Sequence, residues 1–503
     1  MPNLADCELE RTDSRSRTWN KRTGRKRRTL FAPNPATITD LCNIGRVEIN
    51  ILSEDVLLEI FDFLVVKSYE FEAENWWRTL VHVCRTWRNV IFGSPHRLNL
   101  RLVCSDRSPV REMLDVWPPF PIAIHHFGHP KSGWGNIIAA LGYNDRLCQI
   151  GLDLDPQSEN VLEAMQKPFP ALTHLSLYSD IDTIPVVADS FLGGSAPRLQ
   201  YLQLGNVQVL GLTRLLLSAT DLVYLSLQRI PHSGYISPEA IVACLSALPR
   251  LEKCYVEFES PRSRPSRGSR HLPPTRSVLP TLVKLHFLGA SEYLEDLVAR
   301  IDSPLLDCLE IALFHQLIFD TPQLTHFISR TPTLEVRDQV RVDFSDLHVR
   351  VTFPKISSGY HISLKLLCIQ PEWQLSSIAQ ICTSLLPRSL IHMVERLYIR
   401  ERSYSIIEWQ DDIEDSQWLE LLHPFTGVKK FYISKEFAPR IAPSLQELVG
   451  GRTTEVLPAL KRLYLEELNP SGPFDEAIGK FIAARKLSNH PVTISKRRIA
   501  KSK

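Results

Sequence analysis

Several features this sequence lacks narrow its reading before anything present does. Ten cysteines are scattered over 503 residues, and no two stand as a Cys-x-x-Cys pair. That excludes a regular disulfide framework and reads as reduced thiols in a cytosolic or nuclear protein. No uninterrupted apolar run approaches the roughly twenty residues that cross a bilayer, and the opening Met-Pro-Asn-Leu-Ala-Asp-Cys has no apolar signal-peptide core. No membrane partner is therefore expected. Neither sign of charge dominates (58 basic against 56 acidic residues), which argues against a nucleic-acid footprint over the whole chain. P-loop, dinucleotide-binding, nucleophile-elbow and His-Glu-x-x-His patterns are all missing. Nothing positive supports catalysis, and no cofactor is expected.

Residues 1–46 are polar and read as a disordered basic tail. Between Arg11 and Arg28 stand nine Lys or Arg and one acid, densest over Lys21, Arg22, Arg25, Lys26, Arg27 and Arg28. Such a cluster serves as a nuclear import signal, as a weak nucleic-acid arm, or simply as a solvated tail. No aromatic stacking platform accompanies it, so direct nucleic-acid binding is the least favoured of the three.

A helical hairpin is predicted next. Ser53 is a good N-cap, Glu54 and Asp55 complement the positive end of the helix dipole, and Leu57, Ile60, Phe61 and Leu64 recur at helical spacing. After an acidic stretch, Trp77, Leu80, Val81, Cys84, Trp87 and Ile91 do the same over Trp76 to Ile91. Elements this short and apolar need a third helix and a partner.

These residues resemble the F-box. Leu52 and Asp55 sit at the family's leucine and acidic positions, Ile60, Phe61 and Leu64 at the end of its first helix, and Val83, Cys84 and Trp87 at its Val-Cys-x-x-Trp block. Ser53 replaces the usual proline, and Val65 to Asn75 is longer than the pattern. The resemblance covers residues 47–97, and an ordinary buried hairpin is the competing reading.

Beyond it, Leu98 to Cys104 and Pro121 to Ile124 read as strands and Val110 to Val116 as a helix. His125, His126 and His129 lie close together, but a metal site needs a fourth ligand and none is visible. From Leu147 the chain repeats an apolar anchor followed by apolar residues three and five positions on. The anchors are Leu147, Leu172, Leu199, Leu222, Leu251, Leu282, Leu306, Leu334, Leu364, Val394, Val428 and Leu460. Twelve anchors 23 to 34 residues apart are hard to assign to chance, although at Leu334 the residues Arg337 and Gln339 spoil the pattern. Residues three and five after an anchor share one face of a strand, and stacked strands merge them into one core. Pro170, Pro197, Pro249, Pro280, Pro304, Pro332 and Pro458 each stand two residues before an anchor, where proline marks the passage from helix to strand. Helices are expected between anchors, for example over Ala240 to Leu248 and Glu292 to Arg300.

Strand, turn and helix at this period resemble leucine-rich repeats, with the family's Asn or Cys mostly missing. The fold class expected is an α/β repeat: an N-terminal F-box hairpin, then a curved leucine-rich-repeat-like solenoid of parallel strands over 98–490. Residues 260–276 read as a mobile basic loop, Glu408 to Glu420 as an acidic helix with Trp409 and Trp418 packed inward, and 491–503 as a basic tail.

Together the two resemblances imply a non-catalytic substrate receptor of a Skp–cullin–F-box ubiquitin ligase, similar to the fungal-type F-box families. The adaptor would dock on Leu52, Ser53, Leu57, Ile60, Phe61, Leu64, Val83, Cys84 and Trp87. A non-degradative scaffold, or a nuclear factor associated with nucleic acid, is the alternative. Positions two and four after an anchor face away from the core. In the last three repeats they hold Arg396 and Tyr398, Lys430 and Tyr432, and Arg462 and Tyr464. A basic column beside a tyrosine column suits an acidic or phosphorylated protein target. Lys253 with Tyr255, and Lys284 with His286, echo the pair.

Overall fold

The computed structural model describes residues 52–65, 76–105, 110–126, 134–180, 184–265, 275–316, 319–334, 338–355, 359–401, 415–434, 436–448, 452–466 and 473–497. The import cluster, His129, Trp409 and most of the basic loop lie outside them. The chain divides into two compact units, residues 1–61 and 62–503.

In the first unit the described residues are Leu52, Ser53 and the beginning of helix α1 (Glu54–Val65). Ser53 caps it: its hydroxyl accepts from the Val56 N–H at 3.4 Å, and its carbonyl accepts from Leu57 at 3.1 Å. Leu57, Leu58 and Phe61 are buried.

The second unit begins with a correction. The stretch expected as one helix over Trp76 to Ile91 is two, α2 (Trp76–Val81) and α3 (Arg85–Gly93). Cys84 breaks it: its backbone is extended and its sulfur accepts from the Trp87 N–H at 3.5 Å, so it caps α3 rather than packing on a shared face. Trp77, not Trp87, is the fully buried indole. Its ring meets Trp117 and Phe120 edge-on at 5.0 and 5.6 Å.

Among the described residues, sixteen strands then form one sheet: β1 (Leu102–Cys104), β2 (Ile122–His126), β3 (Leu147–Leu154), β4 (His174–Ser179), β5 (Tyr201–Gly205), β6 (Tyr224–Ile230), β7 (Lys253–Phe258), β8 (Lys284–Gly289), β9 (Cys308–Phe314), β10 (Gln339–Phe344), β11 (His348–Pro354), β12 (Tyr360–Leu367), β13 (Arg396–Glu401), β14 (Lys430–Ile433), β15 (Arg462–Glu466) and β16 (Thr493–Arg497). The strand expected over Leu98 to Cys104 is shorter, because residues 95–99 form turns. Conversely β16 lies in the stretch read as a tail and pairs in parallel with β15.

The repeat has a concrete physical basis. Residues three and five after each regular anchor are buried on the face that meets the helices, as Leu175 and Leu177 or Leu397 and Ile399 are. The helices pack side by side in a second layer, and Pro238–Ser246 and Ser291–Arg300 fall where expected. Strands β5 to β9 and β13 to β15 each begin with the same device: two successive N–H groups share one carbonyl of the preceding repeat. Val223 and Tyr224 donate to Gln200, Glu252 and Lys253 to Val223, and Lys461 and Arg462 to Lys429. In two Pro-Thr-Leu segments the threonine adds a side-chain bond, Thr281 to the Leu251 carbonyl and Thr333 to that of Leu306. Neighbouring repeats are thereby locked in phase without an Asn ladder.

The sheet is not wholly parallel, which corrects the expectation. Its order runs β1 to β9 in sequence, then β12, β11, β10 and β13 to β16. β11 is antiparallel to both neighbours, while β12 runs parallel to β9 and β10 parallel to β13. Two anchors were consequently misread. Leu364 is itself a core residue inside β12, paired with Ile311, and Ile369 five residues on is exposed. After Leu334 the pattern resumes three residues late, with Val340 and Val342 buried. Gln374, fully buried in the next helix, ties the β10–β11 turn down by donating to the carbonyls of Ser345 and Cys368 at 2.8 and 2.7 Å.

Candidate functional site

The residues assigned to adaptor docking fall in both units. In the first, Leu57 and Phe61 are buried, Leu52 is half-buried, and Ser53 is the cap. Ile60 points outward at 43 % exposure instead of joining them. In the second, Leu64 is the penultimate residue of α1, Val83 is exposed, Cys84 caps α3, and Trp87 is half-buried. The helix therefore carries two apolar faces. One is buried; the other displays Val56, Ile60 and Phe63, four and three residues apart, with Phe63 at 75 % exposure. Helical spacing groups Ile60 with Leu57 and Phe61, whereas the structure leaves Ile60 exposed, as it does Val56 and Phe63.

On the sheet, period-two alternation sends positions two and four after each anchor away from the helices. The register brings the six target-binding candidates together. Arg396, Lys430 and Arg462 are direct neighbours in one row, and Tyr398, Tyr432 and Tyr464 in the next. The rings stack at 4.2 and 4.3 Å with planes within 5° and 7° of parallel. Stacked rings use their faces on one another, so the ladder presents edges and hydroxyls outward. Arg400 and Arg341 lie over Tyr398, 5.1 and 5.9 Å from its centroid. Burial, and then the neighbouring Tyr398 and Tyr464 hydroxyls, push the Tyr432 hydroxyl up to about 12, whereas the Arg462 guanidinium holds Tyr464 below the usual range. Not every cation is available: Arg396 donates twice to Asp338, at 2.6 and 2.8 Å.

A second stack went unread in the sequence. His174, Tyr201, Tyr224, Tyr255 and His286 follow one another across β4 to β8, with the rings of Tyr201 and Tyr224 stacked nearly parallel at 4.3 Å. Their positions relative to the anchors would have found them, and beside them the basic row is reduced to Lys253 and Lys284. His286 ends this stack between Glu257 at 2.9 Å and Glu310 at 3.0 Å. Burial opposes its charge, but the two carboxylates prevail and raise it to about 9. Glu310 is held at about 2 against burial by His286 and Lys284. Lys284, which echoed the basic column in sequence, is thus committed to Glu310 and lies 5.3 Å over the Tyr255 ring.

His125 and His126 are buried in β2, and His126 meets Trp134 edge-on at 4.9 Å. Among the described residues no His, Cys, Asp and Glu side chains are grouped to hold a metal, and no helix is long and apolar enough to cross a membrane. Trp418 packs inward as expected, against Phe344 and Phe437.

No family model and no curated protein matches the chain. Among solved structures it is similar to the leucine-rich repeat-containing protein LegL7 from Legionella pneumophila, at 13 % identity and a TM-score of 0.28, over 66 % of this chain and 97 % of that one. The second unit is, on its own topology, an α/β strand–helix repeat consistent with a leucine-rich-repeat-like solenoid.

Proposed function

We propose that the chain is the substrate-recognition subunit of a Skp–cullin–F-box ubiquitin ligase. Residues 47–97 dock the Skp-family adaptor, and the repeats hold a protein target, so that ubiquitin transfer on other subunits meets target lysines at high effective concentration. The observation carrying this reading is the exposed stripe Val56, Ile60 and Phe63 on a helix whose other face is buried. An apolar face left uncovered in this way marks a protein interaction site, and it lies within the stretch that resembles the F-box. The tyrosine ladder and its cations supply the target-binding half, suited to an acidic or phosphorylated segment. Lys21 to Arg28 would direct the chain to the nucleus. The chain itself carries no catalytic role.

Co-purification tests the adaptor half. The tagged full chain should bring down adaptor and cullin together, and Ile60→Asp with Phe63→Asp should abolish both without lowering the thermal transition. Recovery of adaptor without cullin would favour the non-degradative scaffold. For the target half, a variant carrying Tyr398→Ala, Tyr432→Ala and Tyr464→Ala should retain the adaptor and lose targets. Normal target capture by that variant moves the site elsewhere.

A further inference from the structure

The antiparallel insertion adds a pair of like charges to the open face beside the tyrosine ladder. Antiparallel pairing sets Arg350 of β11 directly opposite Lys365 of β12, and Thr352 directly opposite Ser363 in the adjacent row. Like charges in direct cross-strand register repel. Both cations are half-buried, and among the described residues neither forms an ion pair. The Arg350 Nε is buried without an acceptor. Burial, and then Arg350, lower the proton affinity of Lys365; Glu257 alone opposes them.

The surroundings leave this pair open to an anion. On the β9 side Lys365 faces Ala312, whose methyl fills little space, and Ser363 faces Glu310, already held by Lys284 and His286. On the β10 side Arg350 faces Asp343, which also stands opposite Arg400 of β13. Over β10 to β13 the open face thus carries Arg341, Arg350, Lys365 and Arg400 against the one carboxylate of Asp343, with Arg396 committed to Asp338.

We propose that Arg350 and Lys365, with the Thr352 and Ser363 hydroxyls, seat a phosphorylated side chain of an extended protein segment. A phosphate monoester brings up to two negative charges and three acceptor oxygens, which matches two cations and two hydroxyls; a carboxylate neutralises only one of the pair. From β11 across to Tyr464 on β15 is four strand spacings, about 19 Å. About six extended residues cover that distance, so the phosphoryl group anchors one end of a segment whose remainder crosses the tyrosine ladder. This deepens the target-binding half of the function proposed above and is independent of adaptor docking.

The test uses the full chain. Inorganic phosphate at millimolar concentration should raise the thermal transition above that in chloride of equal ionic strength. Lys365→Gln and Arg350→Gln should each abolish this response. Neither should lower the transition without phosphate, because each relieves repulsion. An arrayed phosphoserine peptide library should bind the wild type at least about tenfold more tightly than its unphosphorylated and glutamate counterparts, a difference of about 1.4 kcal/mol. Both variants should erase that preference while still co-purifying with the adaptor. A phosphate response that survives in both variants overturns the site. Equal binding of glutamate peptides overturns the phosphoryl assignment, and a single-stranded oligonucleotide that outcompetes every phosphopeptide overturns the peptide assignment. Loss of the adaptor from the wild type would count against the ligase reading alone.

Discussion

His286 shows how a single side chain on the open face can shape the pH response of the whole repeat. Its folded-state value of about 9 lies above the ordinary histidine value of about 6.5. Its contribution is therefore fully present below about pH 6.5 and is lost as pH rises through about 9. Glu310 works in the opposite sense: held at about 2, it contributes above the ordinary carboxylate range and loses that contribution as pH falls through about 2. The cluster is most stabilising between roughly pH 4.5 and 6.5. Chemical denaturation should show about 2 kcal/mol lost between pH 6.5 and 9.5, and His286→Gln should flatten that slope even though it lowers stability overall by leaving two half-buried carboxylates facing each other. An unchanged slope in the variant would place the titration elsewhere.

At the scale of the element, burial decides which of the hairpin tryptophans matters. Trp77→Ala should cost about 3–5 kcal/mol, since its ring is enclosed by Trp117, Phe120 and Phe92. Trp87→Ala should cost roughly 1–2 kcal/mol, because that ring is only half-buried. Urea titration of the two variants checks the order. Helical periodicity made both indoles look equivalent, and nothing in the spacing announced that Cys84 would cap a new helix. The same limit applied to α1, where nearly every position is apolar and the sequence could not say which stripe is covered. In the repeats the pattern was far more legible. Alternation within a strand leaves two faces only, and the parallel register then follows from the shared anchors, so the tyrosine and basic columns could be read in advance. The antiparallel strand escaped because β10, β11 and β12 each alternate as well as any parallel strand, and direction leaves no mark on alternation.

For the molecule as a whole, the seam at β10 to β12 has the form of an insertion. Leu334 is a proper anchor that lacks its strand, and β12 is a proper strand that lacks its anchor. Splicing Leu334 directly to Tyr360 yields Leu-Tyr-His-Ile-Ser-Leu, the repeat motif intact. Residues 335–359 thus read as a 25-residue cassette dropped into one ordinary repeat. The geometry agrees: Leu309, Ile362, Val340 and Leu397 are equivalent core positions, so β12 could take over the place of β10 beside β13 without a change of phase. A chain with 335–359 excised should fold with a cooperative transition, keep the adaptor and the Tyr398 ladder, and no longer respond to phosphate. Circular dichroism with adaptor co-purification checks the first claim, and a collapsed, aggregating product would refute the cassette. Excision would remove Arg350 and Thr352 but leave Lys365, Ser363 and the tyrosine ladder in place, so the proposed phosphoryl seat is shared between the inserted segment and the repeat that receives it.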